Sequence, residues 1–493
     1  MNTQDNFDFV QCLKKNKEIY GAKVVLSDRY KNYTFEDVYY YCGRISYFIK
    51  EQLKSKGNCI GVIADGSSKS ILIMLGIICS GNFYLPLDPI LPQSQLNAIL
   101  EKTQMKMLIL LKDSKEDFLC DIPCYFLERI IFSNFKELYF AEIGADEPLY
   151  AILTSGSTGE PKILLKTHKA MLLYISTFSR TFCLNSELII GNQIPFYSDA
   201  AQKDLFLMLY LGAHLQLIPQ FLFSVPYALI QYLNQNKIDF ISWVPSAYGM
   251  VAQFDIFKKI RPFYLKYSFW VGESIHKKVV EYWKSYLVFT EFYNIYGMSE
   301  IAGVCSYYNM NNTVDEVIPI GIPLEHCKLI FRDECGCFVN QGELLIQSEA
   351  LASYVFTDKG KKELEKICIE GEYYYRTGDY GYLNARNEFV VTGRKDEQIK
   401  LNGYRIELQG LERIFLEYEN VDEVAVVFVN KRIVAFIVLK QDDVEKRENL
   451  IKYAKQNIPR YSIPEKYVFL DTMPYNRNGK KDKGYLQSRL QKE

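Results

Sequence analysis

Apolar and polar positions in the N-terminal part of the chain alternate between the period of a helix and the pattern of a buried strand. Residues 33–57, YTFEDVYYYCGRISYFIKEQLKSKG, have helical spacing and predict a helix that stops at Gly57. The next residues, NCIGVIADG (58–66), are typical of a strand, and the apolar run after Ser70 predicts another helix. EPLYAIL (147–153) predicts a further strand. Strands that alternate with helices indicate a parallel α/β sheet.

The C-terminal part has a different pattern. Residues 423–439, EVAVVFVNKRIVAFIVL, predict two strands joined at Asn430 and Lys431, and VEKRENLIKYAKQNI (444–458) predicts a helix. The polar stretch TGRKDEQIKLNGY (392–404) separates the two patterns. We therefore predict a large α/β domain over residues 1–394 and a small α+β domain over residues 395–493.

Composition limits the possible partners. With 48% apolar and 24% charged residues, the chain of 493 residues can form a large core. Its net charge of -1 lacks the basic field that nucleic-acid or membrane-surface binding needs, so neither is expected as a partner. A small-molecule substrate is the expectation that remains.

Cysteine usage and the N-terminus indicate a cytoplasmic protein. The twelve cysteines form no CxxC pair, which favours reduced thiols over a structural metal or a disulfide framework. The N-terminus lacks the apolar core of a signal peptide, and the longest apolar run, residues 71–79, is too short to span a bilayer.

The stretch TSGSTGEPK (154–162) has two possible interpretations. Small residues let backbone N–H groups approach an anion, and the glycines permit the turn that such a cradle needs. The loop follows a predicted strand, and α/β sheets bind ligands at the carboxyl ends of strands. It is not a Walker A motif, because Ser or Thr does not follow a Gly-Lys pair. Taken alone, it is either a phosphate cradle or a solvated loop.

Further motifs resolve that choice through a resemblance. The chain resembles the adenylate-forming superfamily, and within it the stand-alone amino-acid adenylation domains of the nonribosomal peptide synthetase and D-alanine:carrier protein ligase type. The resemblance covers about residues 30–486 and rests on seven motifs in the family's order, which are TSGSTGEPK, YLPLDPILPQSQLNAIL (84–100), NIYGMSE (294–300), GELLI (342–346), YRTGDYGY (375–382), GRKDEQIKLNGYRIELQGLE (393–412) and NRNGK (476–480).

The resemblance implies two cofactors, ATP and Mg²⁺. It makes Glu300 the Mg²⁺ ligand, Tyr296 and Asn294 the adenine contacts, and Asp379, backed by Arg394, the ribose ligand. A carboxylate suits both a hard cation and a pair of hydroxyl groups. The other nucleotide-binding residues implied by the motifs are Thr154, Ser155, Gly156, Ser157, Thr158, Gly159, Lys162, Gly297 and Ser299.

The small C-terminal domain is implied to be a mobile lid. Lys480 is the catalytic cation that contacts the substrate carboxylate and the developing adenylate. Asp396 is the implied hinge about which this domain rotates between the two half-reactions. Lys400 and Gly403 are implied to help form the tunnel for the thiol.

The substrate is identified through PFYSDAAQKDLF (195–206), which aligns with the helix that carries the amine anchor in amino-acid-activating members. Asp199 is either that anchor or a helix N-cap. Lys203 either faces the pocket and selects an acidic side chain, or extends to solvent and leaves an apolar pocket for a small or aliphatic one. The other pocket residues implied by the motifs are Ala200, Ser242, Phe269, Val271, Ile295, Gly303 and Val304.

The resulting functional expectation is an AMP-forming ligase. It would activate an amino acid to aminoacyl-AMP, release pyrophosphate, and load a separate carrier protein on its phosphopantetheine arm, because no carrier-like segment follows NGKKDKGYLQSRLQKE. The alternative is an acyl- or aryl-CoA ligase that uses free CoA. A catalytically silent family member is disfavoured, since Glu300, Asp379 and Lys480 are all present.

Overall fold

The computed structural model describes residues 8–111, 121–131, 137–154, 162–273, 275–312, 315–333, 337–357, 360–394, 398–475 and 481–491. The chain divides into two units. The first comprises Met1–Pro89, Lys102–Leu153 and Ile163–Lys395, and the second comprises Ile90–Glu101, Thr154–Lys162 and Asp396–Glu493.

The α-helices of the described residues are, in chain order, α1 (Phe9–Tyr20), α2 (Phe35–Leu53), α3 (Ser68–Cys79), α4 (Gln93–Thr103), α5 (Leu127–Ile131), α6 (His168–Thr181), α7 (Asp199–Leu211), α8 (Pro226–Gln235), α9 (Pro245–Gln253), α10 (Lys277–Tyr286), α11 (Leu408–Leu416), α12 (Val444–Asn457) and α13 (Lys483–Gln491). None of them has the length and apolar composition that a membrane span requires.

The strands of the described residues are β1 (Val24–Ser27), β2 (Asn32–Thr34), β3 (Cys59–Ile63), β4 (Phe83–Leu87), β5 (Met107–Leu110), β6 (Cys124–Phe126), β7 (Pro148–Thr154), β8 (Lys162–Thr167), β9 (Ile189–Asn192), β10 (His214–Leu217), β11 (Phe240–Trp243), β12 (Tyr267–Val271), β13 (Glu291–Gly297), β14 (Val304–Asn309), β15 (Ile322–Pro323), β16 (Lys328–Arg332), β17 (Phe338–Val339), β18 (Gln341–Gln347), β19 (Tyr354–Thr357), β20 (Gly360–Glu363), β21 (Ile367–Ile369), β22 (Glu372–Leu383), β23 (Phe389–Arg394), β24 (Gln398–Leu401), β25 (Tyr404–Glu407), β26 (Val421–Val429), β27 (Arg432–Leu439) and β28 (Lys466–Phe469).

Three sheets form the first unit. One has the order β15-β14-β13-β12-β11-β9-β10-β1-β2, with parallel pairing from β13 through β1 and antiparallel strands at both edges. The second has the order β20-β19-β8-β7-β4-β3-β5-β6, and the third is antiparallel and built around β18 and β22. The predicted α/β class is therefore confirmed.

The nine-stranded sheet separates two hydrophobic cores. Because side chains alternate across a strand, Phe240 and Phe269 lie on one face with α6 and α7, and Trp243 and Trp270 lie on the other with α8, α9 and α10. Both faces are apolar, as expected of parallel strands covered on two sides.

The second unit contains the β24–β25 hairpin, the sheet β26-β27-β28 and the helices α11 to α13. The two strands predicted around Asn430 and Lys431 are confirmed as β26 and β27, and the helix that follows is α12. Asn430 and Lys431 both have positive φ, at 49° and 60°, which matches the tight turns that suit twisted hairpins.

The helix predicted to stop at Gly57 ends four residues earlier, at Leu53. Lys54 takes the left-handed conformation, with φ 53°, and its N–H bonds to the carbonyl of Lys50. A lysine thus ends the helix in the position that glycine usually takes. The start of the helix is fixed by a capping box between Thr34 and Asp37.

Helix α3 packs against Ile45 of α2 at Gly76, and we predict that Gly76→Ala destabilises the fold. A Cβ at this position would lie 2.6 Å from Cβ of Ile45, so the helices must separate. We expect a cost of about 1–3 kcal/mol, measured from urea unfolding. Gly249 in α9 has open space around it, and Gly249→Ala should instead stabilise by up to about 1 kcal/mol. Equal effects of the two substitutions would contradict the packing.

Candidate active site

The motif NIYGMSE lies at the carboxyl end of β13, inside the nine-stranded sheet. Strand alternation places Asn294 and Tyr296 on one face. The side-chain amide of Asn294 donates to the carbonyl of Pro319 at 2.6 Å, which fixes the side chain. The Tyr296 hydroxyl donates to Oδ2 of Asp379 on β22, and both side chains are buried. This bond joins the predicted adenine and ribose residues in one place.

Asp379 is also paired with Arg394. The two residues are directly opposite each other in the β22–β23 pairing, and Nη1 of Arg394 lies 3.0 Å from Oδ1 of Asp379. The backbone N–H of Asp379 bonds to the Thr377 hydroxyl at 2.9 Å. Both carboxylate oxygens of Asp379 therefore have a protein donor.

The end of β13 is pressed against the residues that precede β14. A Cβ at Gly297 would lie 2.2 Å from the carbonyl oxygen of Gly303, so the backbones can approach only without a side chain. A Cβ at Gly303 would lie 2.2 Å from Cε1 of Tyr174 on α6. Ser299 follows Gly297 by two residues in the sequence and is half-buried.

Asp199 belongs to a buried group of charges. It is the first residue of α7, and Ser198, which has no side-chain capping bond, occupies the N-cap position. Oδ1 of Asp199 accepts from the Tyr150 hydroxyl at 2.9 Å, and Oδ2 lies 4.0 Å from Nζ of Lys166 on β8. The N-cap alternative for Asp199 is therefore wrong, because its carboxylate binds side chains of neighbouring strands.

Lys166 also interacts with the segment of Glu300. Its ammonium donates to the carbonyl of Ile301, and the side chains of Lys166 and Glu300 are fully buried. Burial lowers the pKa of the Lys166 ammonium, and the negative charges of Asp199 and Glu300 oppose that change. Burial raises the pKa of the Asp199 carboxyl, while Lys166 and Tyr150 act in the opposite direction. Two carboxylates thus share one ammonium inside the protein.

Sequence reasoning missed Lys166 and Tyr150. One signal was present: the charged Lys166 ends the apolar run ILL of a strand that is buried. A lysine in a buried strand needs a counter-ion, so its position predicts a nearby carboxylate. Which carboxylate it meets depends on how α7 and β13 are placed against β8.

The structure describes only the two ends of the predicted phosphate loop. Thr154 ends β7, Lys162 begins β8, and the Thr154 hydroxyl donates to the Lys162 carbonyl at 3.4 Å. The remaining predicted members of the loop lie outside the described residues, and so do the catalytic and hinge candidates; these are Ser155, Gly156, Ser157, Thr158, Gly159, Lys480 and Asp396.

Lys400 and Gly403 are described, on the hairpin of the second unit. Lys400 lies opposite Arg405 in the β24–β25 pairing, and Gly403, with φ 82°, is in the turn. The turn requires positive φ at Asn402 as well.

The predicted side-chain pocket is brought together on one face of the nine-stranded sheet. Ser242 pairs with Phe269 across β11 and β12, and Val271 pairs with Ile295 across β12 and β13. Lys203 lies on α7 against this face. The remaining members are Ala200, Gly303 and Val304, of which Val304 is buried and the other two are half-buried.

Lys203 does not extend to solvent. The residue is 5% exposed, and its ammonium is bound to the carboxylate of Asp204. The solvent-facing alternative is therefore wrong, because the lysine has an internal counter-ion that makes burial tolerable.

The described residues contain no cluster of three or more His, Cys, Asp or Glu side chains able to hold a metal by themselves. Glu300 offers one buried carboxylate. That donor set fits Mg²⁺, which typically takes one or two carboxylates and completes its shell with phosphate oxygens and water.

Comparison with known proteins gives a family match over most of the chain. The family model described as AMP-binding enzyme matches residues 13–355, and the one described as AMP-binding enzyme C-terminal domain matches residues 410–480. A D-alanine–D-alanyl carrier protein ligase of Bacillus cytotoxicus is 26% identical over 90% of this chain and 92% of its own length.

Solved structures with the same fold include an adenylation domain and a CoA synthetase. The Vibrio cholerae adenylation domain AlmE, in complex with glycyl-adenosine-5'-phosphate, has a TM-score of 0.84 at 19% identity and covers 100% of this chain and 99% of its own. The o-succinylbenzoate CoA synthetase of Bacillus subtilis also has a TM-score of 0.84, at 17% identity, over 97% of this chain and 98% of its own. The fold by itself therefore does not separate adenylation domains from CoA ligases.

We predict that Lys166→Met destabilises the protein by about 3–5 kcal/mol, because it leaves the largely buried Asp199 carboxylate without its cation. The measurement is urea unfolding at neutral pH. Adding Asp199→Asn to Lys166→Met should recover part of the loss, because that unpaired charge is then removed.

Lys169→Met is the matched control. Lys169 is the second residue of α6, three residues further along the chain, and its side chain is 52% exposed beside Glu349. Its loss should cost no more than about 1 kcal/mol. Similar losses for the two lysines would show that the Lys166 cluster does not stabilise the fold.

Proposed function

Because the chain belongs to the AMP-binding enzyme family, we propose that it activates an amino acid with ATP and transfers it to the phosphopantetheine thiol of a carrier protein. In the first step, a carboxylate oxygen of the substrate bonds to the α-phosphorus of ATP, and the bond to pyrophosphate breaks. In the second, the thiol sulfur bonds to the acyl carbon, AMP leaves, and the thiol proton is lost to solvent.

The observation that carries the amino-acid assignment is the charge group around Asp199. Oδ1 of Asp199 accepts from the Tyr150 hydroxyl at 2.9 Å, and Oδ2 lies 4.0 Å from Nζ of Lys166. The 4.0 Å between Lys166 and Oδ2 of Asp199 is too long for a hydrogen bond, so that oxygen is suited to a further donor. A substrate ammonium would donate to Oδ2 in a charge-assisted hydrogen bond.

The relatives support this choice of substrate and acceptor. The Bacillus cytotoxicus ligase is named for D-alanine and its carrier protein, and the Vibrio cholerae adenylation domain was solved with a glycyl adenylate. An acyl- or aryl-CoA ligase is the second candidate, supported by the equal fold similarity to the CoA synthetase. A substrate without an amine would leave Oδ2 of Asp199 without a charge-assisted bond from the substrate.

We propose that the nucleotide is bound by the residues joined at Tyr296. Asp379 would accept the ribose hydroxyls, with Arg394 beside it, and Tyr296 would stack on adenine. Their existing contacts hold the Asp379 carboxylate in a fixed orientation. The other proposed nucleotide contacts are Asn294, Gly297, Ser299, Lys162 and the loop 154–159.

Glu300 would hold Mg²⁺, which when bound would neutralise charge on the phosphates. Lys480 would bind the substrate carboxylate and the developing adenylate, and Asp396 would be the hinge for the thioester-forming step. Lys400 and Gly403 would line the path of the thiol. We further place the protein in the cytoplasm, since the described cysteines are free thiols, as in reducing compartments.

ATP–pyrophosphate exchange across amino, hydroxy and aryl acids tests the function. We expect exchange with amino acids and at least about tenfold less with the matching deaminated acids. Asp199→Asn should raise the amino-acid KM by about 100-fold and leave the KM for ATP nearly unchanged, because a charge-assisted bond is lost only to the substrate amine.

Asp239→Asn is the control for that substitution, because Asp239, immediately before β11, is a buried carboxylate paired with Lys266 at 3.0 Å. It should leave the amino-acid KM unchanged.

Exchange with aryl or fatty acids alone would overturn the amino-acid assignment. Mass shifts of a holo carrier protein, compared with conversion of free CoA, distinguish the two acceptors.

Lys480→Ala should slow adenylate formation by about 100-fold or more, because it removes the cation that stabilises charge in the transition state. Lys481→Ala is the matched control. The Lys481 ammonium donates to the Val424 carbonyl at 2.8 Å, so its role is local to the second unit. Formation of acyl-AMP by Lys480→Ala at the parental rate would contradict the assignment.

A further inference from the structure

The positive charge of Lys203 is neutralised by groups inside the protein. Its ammonium is bound to Asp204, and Oδ2 of Asp204 accepts from the Asn192 side chain at 2.9 Å. The same ammonium lies 4.8 Å from the ring centre of Phe240 and 5.7 Å from that of Phe178. A lysine held by a carboxylate and two ring faces has no unpaired charge to offer a substrate. An acidic side chain would meet the neighbouring carboxylate of Asp204 as well.

Phe269 is enclosed by other rings. Its centroid lies 5.3 Å from Phe178, 4.8 Å from Phe182, 4.9 Å from Phe240 and 5.2 Å from Tyr293, and the residue is fully buried. These spacings are those of packed aromatic pairs. Phe269 therefore fills the sheet face instead of lining an open space.

The predicted pocket residues differ in exposure. Ala200, Val271 and Gly303 are half-buried, whereas Ser242 and Ile295 are buried. The Tyr174 ring packs directly against Gly303. Lys203 follows Asp199 by four residues on α7, so the two side chains are neighbours on one face of the helix, and the Lys203–Asp204 pair occupies the space next to Asp199 along that face.

We propose that the substrate is an amino acid with a small, uncharged side chain, because the Lys203–Asp204 pair and the rings around Phe269 occupy the space beyond it. This inference rests on the proposed function, since it takes Asp199 as the amine anchor. Of the two substrate classes left open by the sequence, Asp204 disfavours the acidic one, and within the small or aliphatic one the rings favour small side chains.

The test is ATP–pyrophosphate exchange by the full chain with glycine, both alanines, serine, leucine, phenylalanine, aspartate and glutamate. We expect kcat/KM for the best small amino acid to exceed that for the larger and the acidic ones by at least about tenfold. A best substrate among leucine, phenylalanine, aspartate or glutamate would overturn the inference but leave amino-acid activation standing. Exchange with deaminated acids only would overturn the proposed function itself.

Phe269→Ala tests the enclosing rings directly. It should raise the kcat/KM of leucine relative to alanine by about tenfold, because it opens space beside Lys203. Phe292→Ala removes the same side chain from a fully buried site on the opposite face of the sheet, and it should not change that ratio. An unchanged ratio in folded Phe269→Ala would overturn the role of the rings.

Removing the ion pair tests the charge argument. In Lys203→Met combined with Asp204→Asn, both charges are lost together, so neither is left unpaired. We expect the same order of preference, with small side chains first and glutamate still about tenfold or more behind. Loss of a wild-type activity with aspartate or glutamate in this variant would show that Lys203 recognises an acidic substrate. Where a variant does not fold, the wild-type panel alone decides the inference.

Discussion

The burial of charge is the constraint on which the first unit of this protein depends. Asp199 faces Lys166 at 4.0 Å, Asp204 binds Lys203, and Asp379 binds Arg394 at 3.0 Å. Removing a carboxylate from water costs several kcal/mol unless a cation and hydrogen bonds replace the solvent. Each pair therefore holds two elements together. The Asp199 pair joins α7 to β8, the Asp204 pair joins α7 to β9, and the Asp379 pair joins β22 to β23.

The three pairs have different consequences for function. The Asp204 pair is closed, because its lysine has only internal contacts. In the Asp199 pair, Oδ2 lies 4.0 Å from the Lys166 ammonium, beyond hydrogen-bond distance. The Asp379 pair is held by Tyr296 as well, which sets its orientation. The closed Asp204 pair limits the shape of the proposed site, whereas the Asp199 carboxylate is suited to bind a cationic group.

Parallel strand register converts these local pairs into one site. β11, β12 and β13 end at the same edge, so Ser242, Val271 and Ile295 lie on one face near that edge although they are far apart in sequence. The glycines at 297 and 303 then let the backbones approach more closely than any side chain permits. The aromatic rings on the same face complete the enclosure and limit the size of what enters.

The sequence by itself determined the α/β class and the strand and helix pattern of both parts, because period and turn residues are local properties. The residues of the proposed nucleotide site came from the resemblance of the motifs to a family. The sequence did not determine where a helix stops when a lysine takes the place of glycine at its end. It also missed Lys166 and left the direction of Lys203 open. Those depended on tertiary structure, since a charged side chain in an apolar segment pairs with whichever carboxylate the packing of β8, β9 and α7 brings near it.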